Sequence, residues 1–215
     1  ALPIWINVKM VTDCVTEMNG SGIEIGPKEK EALLSRLKKI RPDDLLVLSG
    51  TLPRGVDAGF YADLMREVSC PVVLDTNGEA LTSALSLKPL FIKPNAEEIG
   101  QIFGIEHPSL DDIRECAKKL QEMGAVNVLV SLGKDGGALL LDDGTFVSAP
   151  APKAVGSSGY TVGAGDSMVA GFIHALKTFD DPLSRLKYAR AAGTASVVSD
   201  FLARKETLER LFLES

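Results

Sequence analysis

The chain has 215 residues, about 1.4 times a typical domain of roughly 150, so one large domain, or one with an appendage, is the expected organisation. With 45% hydrophobic and 24% charged residues it can form an ordinary globular core, and no apolar run approaches the ~18 residues of a membrane span. A formal charge of −6 offers no basic field to nucleic acid; two histidines, His107 and His174, and three scattered cysteines, Cys14, Cys70 and Cys116, argue against imidazole or thiolate metal sites and for reduced thiols in a cytoplasm.

The opening ALPIW has neither the basic n-region of a signal peptide nor an initiator Met, so residues are expected to precede it. Residues 2–12 and 14–18 are rich in β-branched side chains and break at Asp13, which predicts a β-hairpin. From Pro27 onward helices and short apolar strands alternate. Helical patterns cover 28–40, 57–68, 79–85, 95–104 and 110–124; strand patterns cover 45–49, 71–76, 90–93 and 126–133. The strands are continuous Val/Ile/Leu runs, the signature of burial on both faces, so the fold class is α/β with a doubly wound, mainly parallel sheet and flanking helices. Residues 137–150 read as an antiparallel hairpin turning at DDG, 149–162 as a Pro/Gly/Ser-rich loop, and 165–177, 183–198 and 204–213 as three closing helices.

Ligands of such sheets bind beyond the carboxyl ends of the strands. The residues there are Ser49-Gly50-Thr51, Asp75-Thr76-Asn77, Lys93-Pro94-Asn95 and Ser131-Leu132-Gly133, all polar ends that also suit helix caps. In TVGAGDS at 161–167, Gly163, Ala164 and Gly165 can aim free N–H groups at one point at a helix start, an anion nest. Asp166 in the first turn fits two accounts equally: an acid stabilised by the helix dipole, or a base taking the proton of an incoming hydroxyl. The loop Ser131, Leu132, Gly133, Lys134, Asp135 and Gly136 could bring amides to phosphates, yet it lacks the GK[ST] of a Walker loop. Asn95 and Glu98 have the spacing of a capping box, and Glu98 could alternatively order water around Mg2+, a hard ion that prefers oxygen. No GxSxG occurs, and the dinucleotide fingerprint fails because Met168 occupies its third glycine position.

Seven segments in series resemble the pfkB (ribokinase-like) family of carbohydrate kinases, in particular its 1-phosphofructokinase and tagatose-6-phosphate kinase branch. They are INVK at 6–9, TE at 16–17 with NGSG at 19–22, LSGTLPRG at 48–55, VLDT at 73–76, IKPNAEE at 92–98, VSLGKDG at 130–136 and VGAGDSMVAGF at 162–172. The resemblance implies a ribokinase-like fold in which residues 1–25 form part of a β lid and 26–215 an α/β nucleotide-binding kinase domain, the family's first third preceding residue 1. It implies in-line transfer of the ATP γ-phosphoryl to a hydroxyl of a sugar phosphate, with fructose 1-phosphate the leading substrate and tagatose 6-phosphate or another sugar the alternative. A non-catalytic nucleotide-binding remnant is a third reading.

On this resemblance Asp166 is the proton acceptor, and the amides of Gly163, Ala164 and Gly165 form the anion hole. Ser131 to Gly136, with Asn95 and Glu98, hold ATP, and Glu98 helps place Mg2+ through water. Asn7, Lys9, Thr51 and Asp166 face the sugar. The lid also implies a homodimer, and no nucleic acid or membrane partner is expected. Trp5 stands where this branch usually has Arg, and Tyr160 stands where Asn, Asp or Ser is usual, so the sugar and any monovalent-cation site stay open.

Overall fold

The computed structural model describes the backbone of residues 7–11 and 15–19, and residues 24–153, 161–199 and 203–215. Trp5, Cys14, Tyr160 and half of the Pro/Gly/Ser-rich loop lie outside the described residues. The expected hairpin is present as strands β1 (Asn7–Val11) and β2 (Val15–Asn19), antiparallel, with Asn7 opposite Asn19 and Lys9 opposite Glu17.

After helix α1 (Pro27–Leu37) come β3 (Leu46–Ser49), α2 (Phe60–Arg66), β4 (Val72–Asp75), α3 (Gly78–Thr82), β5 (Phe91–Ile92), α4 (Ala96–Phe103), α5 (Leu110–Glu122) and β6 (Asn127–Ser131). A hairpin of β7 (Gly137–Leu140) and β8 (Phe146–Ala149) precedes α6 (Ala164–Thr178), α7 (Pro182–Val197) and α8 (Lys205–Leu213). Six strands form one sheet in the order β3-β4-β5-β6-β7-β8, the first four parallel and the last two antiparallel.

The uninterrupted apolar strands are explained by the two layers they separate. Along β4 and β6, Val72, Leu74, Val128 and Val130 enter one core with Leu64, Leu81, Ile99, Ile113 and Leu120 of the helices α2 to α5. Their neighbours Val73 and Leu129 point the other way, into a second core with Met168, Val169, Phe172 and Leu186 of α6 and α7. Phe91 and Phe172 meet edge to face there, with centroids 4.8 Å apart and both side chains fully buried. Burying one such side chain contributes about 1.5–3 kcal/mol. The period-two alternation thus persists, hidden because both faces are apolar.

Helix starts follow their capping residues. Ser109 accepts from Asp112 N at 3.2 Å while the Asp112 carboxylate accepts from Ser109 N at 2.9 Å, and Asp181 accepts from Ser184 N at 2.7 Å ahead of Pro182. Helix α4 ends at Gly104 with φ +71°, a left-handed stop suited to glycine. Helix α7 packs closely on α6: a Cβ at Gly171 would come within 2.6 Å of Ala192 Cβ, so a glycine is required where the two helices touch. Cys70 and Cys116 are free and buried, and burial pushes the Cys116 thiol up. Among the described residues, no helix is long and apolar enough to cross a membrane.

Candidate active site

Parallel pairing sets the carboxyl ends of β3 to β6 side by side. Ser49 is level with Asp75, Leu74 with Ile92, and a bridge joins Asn95 to Ser131. Helix α6 starts over this edge, so a residue from each strand end and the first turn of α6 converge. Asp166 reaches the centre of that cluster. The Ser49 hydroxyl lies between two carboxylates, 3.3 Å from Asp166 Oδ1 and 3.4 Å from Asp75 Oδ2, and donates to one or the other. Tyr61 Oη donates toward the carbonyls of Ser49 and Gly50, at 3.1 and 3.0 Å, and so fixes the turn that leads into exposed Thr51.

Asp75 and Lys93 form a buried ion pair, Nζ to Oδ1 3.3 Å, with side chains 15% and 8% exposed. Burial pushes the Asp75 carboxyl up, the Lys93 ammonium beside it pulls it down, and the negative charges of Asp166 and Glu98 add to the upward push. Three carboxylates therefore share this corner with one ammonium. Lys93 also stands against the start of α6, where a Cβ at Gly165 would be 3.2 Å from its Nζ. Gly165 is needed for that close approach, which adds the ammonium's charge to the positive end of the helix.

Gly163 caps α6 with φ +79°, a conformation that costs other L-residues about 1–2 kcal/mol. The Ala164 amide is committed to the Thr161 carbonyl at 3.2 Å, whereas those of Gly165 and Asp166 have no backbone acceptor among the described residues. Of the Gly163, Ala164, Gly165 set, Ala164 is thus the amide with a backbone acceptor among the described residues, and the Asp166 amide joins the open ones.

Asn95 and Glu98 do form the capping box: Glu98 N donates to Asn95 Oδ1 and Asn95 N to Glu98 Oε2, both at 2.8 Å. Glu98 Oε1 also lies 3.4 Å from Asn77 Nδ2. Each oxygen carries one donor, so lone pairs remain, and capping and a role toward a hydrated cation are compatible. Among the described residues, no group of three or more His, Cys, Asp or Glu forms a direct metal site.

Beside this corner lies a cavity of ≈ 540 Å³, walled by Lys93, Asn95, the 131–136 turn, Gly165, Met168 and Arg190, and by Gly193 and Thr194 of α7. The turn does not act as one unit. A 3-10 turn at Gly133–Asp135 leaves Ser131, Gly133, Lys134 and Gly136 on this cavity, while Leu132 and Asp135 line a second cleft of ≈ 390 Å³ with Pro108 and Leu110. Gly136 has φ +104°, and a Cβ there would run into the Ala149 carbonyl oxygen. Gly136→Ala is accordingly expected to lower stability by about 1–3 kcal/mol and to weaken nucleotide-induced stabilisation, both read from thermal melts with and without ADP. An unaltered melt would remove the steric role assigned to this glycine.

Asn7 and Lys9 lie on β1, away from the described cluster in sequence, and Thr51 follows the Tyr61-clamped turn. Ser49, Tyr61, Asp75, Lys93 and Arg190 had no assigned role in the sequence reading, although Ser49, Asp75 and Lys93 were visible as polar strand ends.

Strand ends that converge on an acid at a glycine-capped helix start, beside a cavity with cationic walls, suit the binding and transfer of an anionic group. The chain belongs to the pfkB family of carbohydrate kinases, whose model, described as "pfkB family carbohydrate kinase", matches residues 9–201. It is 34% identical over 213 residues to the 1-phosphofructokinase of Bacillus subtilis (strain 168), covering 97% of this chain and 69% of that one. To the 1-phosphofructokinase of Rhodobacter capsulatus it is 36% identical over 215 residues, with 95% and 67% covered. The structure of Escherichia coli phosphofructokinase-2 with substrates and products superposes with a TM-score of 0.82 at 27% identity, over 92% of this chain and 66% of that one. The chain thus spans about two thirds of the length of these relatives.

Proposed function

We propose that the protein transfers the γ-phosphoryl of MgATP to a hydroxyl of a sugar phosphate, with fructose 1-phosphate converted to fructose 1,6-bisphosphate. The observation that carries this reading is Asp166 at the open amides of α6, in contact with the Ser49 hydroxyl, with its neighbour Gly165 on the wall of the ≈ 540 Å³ cavity. The relatives named 1-phosphofructokinase support the choice of sugar.

Asp166 accepts the proton of the attacking hydroxyl, and Ser49 orients its carboxylate. The Gly165 and Asp166 amides, the helix dipole and the Lys93 ammonium stabilise charge on the transferred group, which in phosphoryl transfer is the main contribution a protein makes. Ser131, Gly133, Lys134 and Gly136 face the nucleotide cavity, and Thr51, with Asn7 and Lys9 on the hairpin, takes the sugar side. Mg2+ would be held here as a hydrated ion: the excess negative charge of Glu98, Asp75 and Asp166 attracts it, and Glu98 retains lone pairs for a metal-bound water. When bound, the ion neutralises charge on the phosphates. The hairpin of β1 and β2 serves within the sugar-side lid and as the surface for a second copy, and ATP use with free thiols fits a cytoplasmic enzyme.

ADP release from MgATP, measured with fructose 1-phosphate, tagatose 6-phosphate, fructose 6-phosphate and unphosphorylated sugars, tests this. Greatest stimulation by fructose 1-phosphate is expected. ATP binding with no sugar-stimulated release would make the protein a non-catalytic nucleotide-binding module.

A further inference from the structure

The cavity contains a charge that the proposed reaction leaves unexplained. Arg190, on α7, is 4% exposed, and its Nε and Nη1 are buried without a hydrogen-bond acceptor among the described residues. Burial alone pushes the guanidinium down to about 10, with no carboxylate opposing it, so it still carries its charge at neutral pH. It sits among small or apolar neighbours: a Cβ at Gly137 would come within 3.3 Å of Arg190 Cδ and 3.1 Å of Met168 Cε. The adjoining residues of α7, Ala189, Ala191, Ala192 and Gly193, are all buried without a polar side chain.

Leaving a buried ion unpaired costs several kcal/mol, and an apolar side chain of similar volume would pack here at no such cost. The described residues supply no such partner, and an anion entering from the cavity that Arg190 lines would supply it. The cavity wall agrees: it includes Lys93, Lys134 and Arg190 and no Asp or Glu. Lys93 is already paired with Asp75, which leaves Arg190 as the buried cation without a counter-charge among the described residues. A planar fork of donors suits two phosphate oxygens, whereas a neutral nucleobase would leave the charge uncompensated.

We propose that Arg190 is the buried counter-charge for the polyphosphate of the phosphoryl donor, binding phosphate oxygens in the cavity that it lines together with the Ser131–Gly136 turn. The proposal rests on the kinase reading above, and it adds a consequence: the nucleotide-free protein is destabilised by the same side chain that the nucleotide satisfies.

The test compares the protein with Arg190→Met, of similar volume and uncharged, and Arg190→Lys, using ADP, inorganic tripolyphosphate and adenosine as probes in calorimetry and thermal melts. Arg190→Met should raise the ligand-free Tm by a few degrees. It should weaken ADP and tripolyphosphate binding about 10- to 100-fold, as expected for losing hydrogen bonds to a charged group, and change adenosine binding less than about twofold. Arg190→Lys should recover only part of the loss, since an ammonium keeps the charge but not the fork.

Unchanged ADP affinity in Arg190→Met would overturn the assignment and leave the kinase reading standing. Equal losses for adenosine and ADP would place the contact on the nucleoside and likewise overturn it. A lower ligand-free Tm with an undiminished ADP-induced shift would make the residue structural. If the unaltered protein binds none of the three probes, the kinase reading falls too.

Discussion

The Asp166→Asn protein is expected to turn over about 10²- to 10⁴-fold more slowly while binding ADP as the parent does. The amide is isosteric, so it still packs in the first turn of α6 and still accepts from the Ser49 hydroxyl, but it cannot take a proton. Its effect belongs in kcat, because the nucleotide meets the backbone amides and the turn whether or not the acid is present. Steady-state rates with the best sugar, paired with calorimetry for ADP, separate the two quantities. A variant with kcat near that of the parent would show that the hydroxyl loses its proton elsewhere, and one that had lost ADP binding would make Asp166 a binding residue.

Lys93→Met is expected to lower stability by about 3–5 kcal/mol, the largest single effect on folding among the site residues. The substitution leaves Asp75 buried beside Asp166 and Glu98 with no cation, three like charges in one corner. Replacing both partners, Lys93→Met with Asp75→Leu, should recover much of that loss, since an apolar pair of similar volume carries no desolvation penalty. Denaturant melts of the two single variants and the double variant give the coupling directly. Additive losses would mean that the ion pair is not the reason for the sensitivity. Lys93→Met should also lose turnover, because the ammonium lies against the start of α6 where transferred charge develops.

Much of the architecture was legible because it is encoded locally. Apolar runs of four or five residues between helical patterns located the strands, and the 95/98 spacing announced the capping box that the structure contains. Boundaries moved at the segment 90–93, where the strand proper is Phe91 and Ile92 between Pro89 and Pro94, while Leu90 N still donates to the Val72 carbonyl. The site was legible where one segment carries it, as at Gly163 to Asp166. It was hidden where residues distant in sequence meet, as with Ser49 and Asp166, 117 positions apart. Asp75 and Lys93 were visible as polar strand ends, but their pairing follows from β4 lying beside β5, which no local pattern specifies. Arg190 gave least warning, because a single Arg in a helix ordinarily reads as a solvated face, and only the burial of its neighbours removes that option. The division of the 131–136 turn between two clefts depends on a 3-10 turn too short to show a periodicity.

The strand order has a bearing on how the molecule is made. Each strand of the large sheet after β3 is hydrogen-bonded to the strand before it in the chain, so each new strand emerging during synthesis finds its edge already in place. Ser49, Asp75 and Lys93 are laid down in that order, but α6, which brings Asp166 and the open amides, arrives after all six strands and covers the opposite face. A growing chain can therefore accumulate a stable sheet well before it owns a working centre, and the acid and the anion nest are delivered together by one late helix.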